Sequence, residues 1–536
     1  MMEAFLSLYG VIDWILRGVS VAAQTLAIGG VAYLLIALTP STTQNASSWL
    51  ERFCRRLALW SASVSCASQL LAAVALIAFL VGSTGAGIET AASADAVSFH
   101  LVSAGAALAL ALAAGAPRRF ERWTLPALAL VLVGAHIGVT HAASRTEPSP
   151  SLLAAEALHL LALSTWIGGI PYFIASLRMI RDADERRDVS RRFSVASLAS
   201  VAVIAATGLF MAIPYAGSLE GLYQTTYGLL LSTKVALLIM LICLGAINFL
   251  AIRSRRRDKD LIASRVPAIA EIEVGIGLIA ILCAVALASS PLASATDAAR
   301  PSAAEVSARL QPAWPRLESP AYAQISAGQP NAAVTARESE LATRTDADVA
   351  WSEAHHHYAA LVVVMAGFLA LLAQSRRLRP VVQHWPLLLL ALAAYLVVTA
   401  DEEAWPLGKI GFFESLTIPQ IAQHKLMIAL IAVFAVSEWG VQAKKFRAAW
   451  PSYVFPLTVM VAAAFLLTHY GHTGQKEEVL IQLSHAPIAL LGVIVASARW
   501  LELRLPAPSA ARLAGVVWPI AMIAAGAFLL LYRETA

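Results

Sequence analysis

The densest chemistry in this 536-residue chain lies in Glu156-Ala157-Leu158-His159-Leu160-Leu161-Ala162-Leu163-Ser164-Thr165-Trp166-Ile167-Gly168-Gly169. On a helix, Glu156 and His159 are three residues apart and share a face. Trp166 falls two turns beyond His159 on that face. Gly168 and Gly169 remove side chains where a second helix can approach closely. A carboxylate and an imidazole inside an apolar helix are costly, so they mark either a functional site or a mutual pair that pins two helices.

The histidines extend this pattern. Thr140-His141 ends one apolar run, and Glu156 and His159 enter the next; Thr468-His469 ends another, followed by His472, Glu478 and His485. Each set puts His on both arms of a helical hairpin with a carboxylate nearby, a usual way to build a metal site in a bundle. Imidazole donors suit copper, zinc, iron or nickel, and spacing does not choose among them. The candidate ligands are His136, His141, His159, His424, His469, His472 and His485. Glu156, Trp166, Lys234 and Glu478 are candidates for orienting those ligands or lining a pathway. Lys234 could pair with Glu156 or Asp13, or reach outward, whereas Asp13 and Arg17 are spaced to pair with each other. His355, His356 and His357 are expected to be solvated at a helix start. Glu271, Glu273 and Glu438 are expected at solvated helix ends, where they could also form an inner exit.

The elements that must position these groups are membrane helices. Hydrophobic residues make up 59% of the chain, charged residues 14%, and mean hydropathy is +0.69. A soluble chain carries about a quarter charged residues. Fourteen apolar runs are long enough to cross a bilayer. They fall at roughly 11–38, 56–83, 94–115, 122–143, 152–178, 193–215, 226–252 and 267–291, then 354–374, 382–400, 418–442, 451–470, 478–503 and 513–532. The expected fold class is all-α, a polytopic integral membrane bundle. Of 39 Lys and Arg, 27 lie in alternate loops, 9 in the opposite loops and C-terminus, and 3 within spans. The rich side is then cytoplasmic and both termini are periplasmic. On that topology every histidine except His384 lies in the outer half or at the outer rim.

Residues 292–353 form the one long connection, rich in Ala, Pro, Ser and Thr and without His, Cys or Met. It reads as a periplasmic flexible linker between an eight-helix unit (1–291) and a six-helix unit (354–536). The four cysteines are scattered, with no C-x-x-C, which argues against a disulfide framework and against thiol-based export from the inner side. The pI of about 9.0 reflects topology-setting loops and implies no nucleic-acid partner. No P-loop is present, which argues against nucleotide hydrolysis.

His159-Leu-Leu-Ala-Leu-Ser-Thr-Trp166-Ile-Gly168-Gly169 resembles the signature of the copper resistance protein D (CopD) family. Arg191-Arg192-Phe193-Ser194, Thr207-Gly208, Gly217-Ser218, Thr226-Tyr227-Gly228-x5-Lys234 and Leu244-Gly245-Ala246-x-Asn248 follow in order, and the His141-Ala142-Ala143 turn fits. The resemblance is strong over roughly 130–290. The last six spans look like the extension of longer members. It implies a multi-pass protein of the bacterial inner membrane that handles or transports copper, with membrane lipid and copper ion as partners. A periplasmic CopC-like carrier would be a separate chain. Two other readings stay open on the residues. One is a membrane oxidoreductase with haem b held by paired His, although the inner half offers only His384. The other is a scaffold for copper insertion into a partner. A transporter or metal-handling protein is expected rather than an enzyme.

Overall fold

The computed structural model describes residues 2–38, 47–116, 121–138, 149–253, 259–295, 300–326, 345–468 and 475–534. Fourteen apolar helices follow in order: α1 (Met2–Ile36), α2 (Ser47–Thr84), α3 (Asp95–Gly115), α4 (Glu121–Ile137), α5 (Pro150–Met179), α6 (Ala183–Ala216), α7 (Thr226–Arg253), α8 (Lys259–Ser289), α9 (Asp346–Leu372), α10 (Arg379–Thr399), α11 (Pro419–Gln442), α12 (Trp450–Leu466), α13 (Gln475–Arg504) and α14 (Pro508–Leu530). Among the described residues twelve are long and apolar enough to cross a bilayer, and α4 and α12 are shorter apolar helices. They match the expected spans one for one. The protein is a polytopic helical membrane protein. Large apolar side chains face outward along it, including Trp60, Leu112 and Ile213. That surface suits a lipid solvent, in which apolar burial gives no drive for helices to associate and close packing must do so.

The packing follows that rule. In the α1–α4 group the core is mostly alanine: Ala27, Ala58, Ala62, Ala106, Ala107, Ala111, Ala114 and Ala129, closed by Leu110 and Leu132. Small residues bring the backbones close. The tightest crossing joins α1 and α5, where a Cβ on Gly168 would stand 2.0 Å from the Thr25 carbonyl oxygen and one on Gly29 would stand 2.3 Å from the Gly168 carbonyl carbon. At this crossing α5 widens into a π turn over Ser164–Gly168. Pro171 follows and has no N–H to donate to Ile167, so the regular hydrogen-bond ladder is interrupted there.

One core runs from the first eight helices into the last six. Trp14, Trp166, Phe173, Leu237 and Ile276 share it with Ala463, Leu467, Ala486 and Val493. The Trp14 and Phe465 rings meet edge-on at 5.5 Å. At the Lys/Arg-rich face Glu271 of α8 accepts from Arg504 at 2.8 and 2.9 Å and from the Trp500 indole at 2.9 Å, and also pairs with Arg178. Glu438 is buried and accepts from Arg499 at 3.0 and 3.2 Å and from Gln442 at 2.6 Å. Glu271 and Glu438 therefore are not solvated helix ends. Each is the acceptor of a guanidinium, which is how a carboxylate persists away from water.

The connection over 292–353, expected to be a flexible linker, holds several short ordered pieces. Ser302 and Glu305 form a capping box at the start of the helix Ala303–Leu310. The Arg309 guanidinium donates to the Tyr532 hydroxyl at 2.7 Å and covers its ring at 4.6 Å. The Arg316 N–H donates to His357 Nδ1 at 2.8 Å, and His357 Nε2 in turn donates to the Tyr532 carbonyl at 2.9 Å. His357 is fully buried and His355 nearly so. The expectation that this His triplet is solvated therefore fails at both: His357 pins the connection to α9 and the C-terminus, and His355 bonds the Trp351 carbonyl at 2.7 Å.

Candidate metal site

His159 projects from α5 into a polar corner between α5, α6 and α7. Its Nδ1 lies 2.9 Å from the Thr207 hydroxyl. That hydroxyl spends its one proton on the Val203 carbonyl at 2.6 Å. It must therefore accept from His159 Nδ1–H, which fixes the tautomer and leaves the lone pair on Nε2. Gly208 lies against the ring: a Cβ there would be in ordinary contact, 3.6 Å from His159 Cε1. Glu156, one turn toward the Lys/Arg-poor end of α5, and Lys234 of α7 are within electrostatic range of each other, and Lys234 also acts on His159. Tyr227 feels the same carboxylate.

Two turns further along α5, Trp166 is buried against Gly245, where a Cβ would meet its ring at 3.8 Å. Its indole is within hydrogen-bonding reach of the Glu273 carboxyl. Asn248 donates to that carboxyl at 2.6 Å, and its own Oδ1 is buried without a partner. Glu273 is 3% exposed, so it too departs from the expected solvated helix end. Polar groups thus run along one interior line, from Glu156 and His159 past Trp166 to Asn248 and Glu273, and the Glu271 ion cluster closes the Lys/Arg-rich end.

A second corner forms in the last six helices. His424 Nδ1 meets Asp401 Oδ1 at 2.6 Å. His485 Nδ1 donates to the Ile481 carbonyl at 2.8 Å, with the Ser484 hydroxyl 3.2 Å away. His356 Nδ1 donates to the Ser352 carbonyl at 2.8 Å. His485 is within electrostatic range of both His424 and His356. In all three rings Nδ1 is held by an oxygen acceptor, the arrangement that orients a metal-binding imidazole. Glu478 is half-buried beside Val479, with no ion pair or hydrogen bond among the described residues.

Part of the chain is similar to known proteins. Residues 187–287 match the family model described as Copper resistance protein D. A curated relative, the copper transport protein CutJ of Bacillus subtilis (strain 168), is 35% identical over 144 residues, which cover 26% of this chain and 26% of the relative. The matched stretch thus spans about a quarter of that relative's length. No solved structure gives a significant match. Thr207, Gly208, Lys234, Gly245, Asn248 and Glu273 all lie inside the CopD-matched segment; Thr207, Gly208 and Gly245 meet His159 or Trp166 of α5, Glu273 is within reach of Trp166, and Asn248 acts through Glu273. Two of the motifs that accompany His159 and Trp166 in the sequence, Thr207-Gly208 and the Gly245 motif, are therefore surfaces those side chains pack against.

Of the expected ligands, His141, His469 and His472 lie outside the described residues. His159 joins Glu156 and Lys234, and His424 joins His485. His136 belongs to neither corner and sits among α1–α4. Among the described residues no three His, Cys, Asp or Glu converge as a metal-holding group. The hairpin reasoning missed Thr207, His356 and the role of Asp401. Thr207-Gly208 was visible as a motif. The pairing of Asp401 with His424 leaves no periodic signal, because it joins a loop to a helix.

Proposed function

We propose that this protein is a copper-handling protein of the bacterial inner membrane that transports copper as cargo, with histidines at its outer end as capture ligands. The observation that carries the reading is His159. It stands in the CopD-like signature, and the segment matching the CopD family supplies both the hydroxyl that sets its tautomer and a glycine that packs against its ring. The donor chemistry fits the ion. Imidazole nitrogen binds copper in either common oxidation state, and an Nδ1 hydrogen bond orients Nε2 as the ligand. Before copper binds, His159 already holds that tautomer, Glu156 supplies negative charge one turn away, and Lys234 limits how tightly a cation is kept. His141 and the His469, His472 and His485 hairpin belong to the same outer-face reading, with His424 held by Asp401 beside it.

The face carrying these corners is the Lys/Arg-poor one, so the rule for basic loops makes it periplasmic, together with both termini. A separate periplasmic CopC-like carrier would deliver or accept the ion there. The first eight helices form the CopD-like unit and the last six an added unit joined through 292–353.

The test is elemental analysis and a visible absorption spectrum on one detergent-purified sample. Copper bound without a haem Soret band is the expected result, and the bound copper should fall in His159→Ala. A stoichiometric Soret band, or copper content unchanged in His159→Ala, would overturn the reading.

A further inference from the structure

The α1–α4 group contains a cluster of buried polar side chains that the two histidine corners do not use. Below it lies the alanine-rich apolar core; within it, four buried polar atoms have no hydrogen-bond partner among the described residues. These are His136 Nδ1, Gln24 Oε1, Ser20 Oγ and Ser65 Oγ. They converge by helix geometry. Ser20 and Gln24 are i,i+4 on α1, and the Gln24 amide reaches the Leu132 carbonyl of α4 at 3.5 Å. His136 is one turn beyond Leu132 on the same face. Ser65 and Gln69 are i,i+4 on α2, and Gln69 Oε1 accepts from His100 Nδ1 of α3 at 2.6 Å. His100 and His136 are in turn within electrostatic range of each other. Ser65, Ser20, His100, Gln24 and Gln69 are between 0% and 5% exposed.

Orphaned buried polar atoms each cost about 1–3 kcal/mol, so four in one place require an occupant. Its chemistry follows from the walls. The Gln69 bond puts the His100 proton on Nδ1 and the lone pair on Nε2. That nitrogen and His136 Nδ1 supply two imidazole donors from neighbouring helices, and the Gln24 carbonyl and the serine hydroxyls add weak oxygen donors. Among the described residues the carboxylate that acts on this cluster is Asp13, which is paired with Arg17 at 2.8 Å; both charges reach His100, and the Arg17 guanidinium also reaches His136. A neutral ligand set beside a guanidinium favours the lowest-charged ion, because desolvation cost grows steeply with charge. Two imidazoles favour a soft ion over an alkali cation.

We propose that His100 and His136 hold one Cu(I) ion between α1, α2, α3 and α4, separate from the His159 corner, with Gln69 positioning His100. The proposal rests on the copper reading above. It places a resting point for the ion outside the 187–287 segment and gives the first four helices a role in handling cargo.

The test is anaerobic titration of purified full-length protein with Cu(I) against a competing chelator. His100→Gln/His136→Gln should lose one Cu(I) per chain relative to wild type, and His159→Ala should retain that ion. Gln69→Met, which keeps the volume and leaves both histidines in place, should weaken the same ion by about 10–100-fold and gives the readout if the double variant does not fold. Stoichiometry unchanged in the double variant, or affinity unchanged in Gln69→Met, overturns this site while leaving the copper reading standing. A wild-type protein that binds no Cu(I) removes this site, and one that binds neither Cu(I) nor Cu(II) removes the copper reading as well.

Discussion

The His159 corner and the His424–His485 corner use the same side chain under opposite electrostatics. His159 is held by a hydroxyl, with the Lys234 ammonium in range. His424 is held by a carboxylate, with Glu402 and Glu403 acting on it as well. A carboxylate raises the basicity of the imidazole it holds and adds a negative charge to the site, whereas a hydroxyl only orients the ring. An ammonium nearby opposes any cation. On the proposed copper reading, the second corner attracts the ion and the first holds it loosely at the head of the interior polar line, as a cargo that has to move requires.

The largest expected effect separates the corners physically. Gly168→Ala forces a Cβ to within 2.0 Å of the Thr25 carbonyl oxygen, against backbone that cannot yield as a flexible side chain would. It should cost roughly 1–3 kcal/mol or more through overpacking. Copper binding at the His159 corner should fall while the His424 corner keeps its ion. Thermal unfolding in detergent with copper stoichiometry reads both, and equal loss at both corners would mean that the shared core couples them.

A second comparison exchanges the anchors. Asp401→Asn should weaken the second corner by about 10–100-fold, and Thr207→Val should weaken the first toward the lower end of that range, since it removes orientation without removing charge. Competitive titration of each variant decides the point. A larger loss in Thr207→Val would reverse the electrostatic ranking.

A third concerns the charge beside His159. Glu156→Gln should weaken copper there by about 10–100-fold with the bundle intact if the carboxylate supports the ligand. If Glu156 serves only to neutralise Lys234, the loss appears as instability, and Glu156→Gln/Lys234→Gln restores the protein. Melting curves and copper titrations of the single and double variants distinguish the two.

Much of this was legible in the sequence. All fourteen helices follow from apolar runs, because a bilayer forces each crossing to be a long helix whatever its neighbours. His159, Trp166 and the glycine pair stood out because polar groups and paired glycines are conspicuous in such a helix. Their partners were not legible. Hydropathy gives where the chain crosses and leaves open which helix lies beside which, so His100 and Gln69 look like isolated polar residues until α2 and α3 pack together. His357 misled for the same reason. At a helix start next to a long loop it reads as solvated, and only the docked Arg316 and Tyr532 backbone shows why it is buried.

The smallest effect concerns the connection between the halves. Glu305 pairs with Lys476 of α13 and caps its own helix, and these contacts, Lys476 first, hold its carboxyl down at about 2, below the ordinary 4.5. A depressed folded-state pKa contributes stability that is fully present above the unfolded value and is lost as pH falls through the folded one. Protection of amides 303–310 should therefore hold at pH 6 and decline between about pH 4.5 and 2, with a modest effect because the pair is exposed and screened by salt. Hydrogen exchange, corrected for its intrinsic pH dependence, measures it. A decline already complete above pH 5 would assign the docking to another group.

The central claim is that histidines at the Lys/Arg-poor end bind copper as cargo, and the most direct measurement is the copper stoichiometry of His141→Ala/His159→Ala/His469→Ala/His485→Ala beside the two hairpin double variants. The expected result is loss in steps, with each double variant removing the copper of its own corner and the quadruple variant removing both. Copper content in the quadruple variant equal to that of the wild type would contradict it.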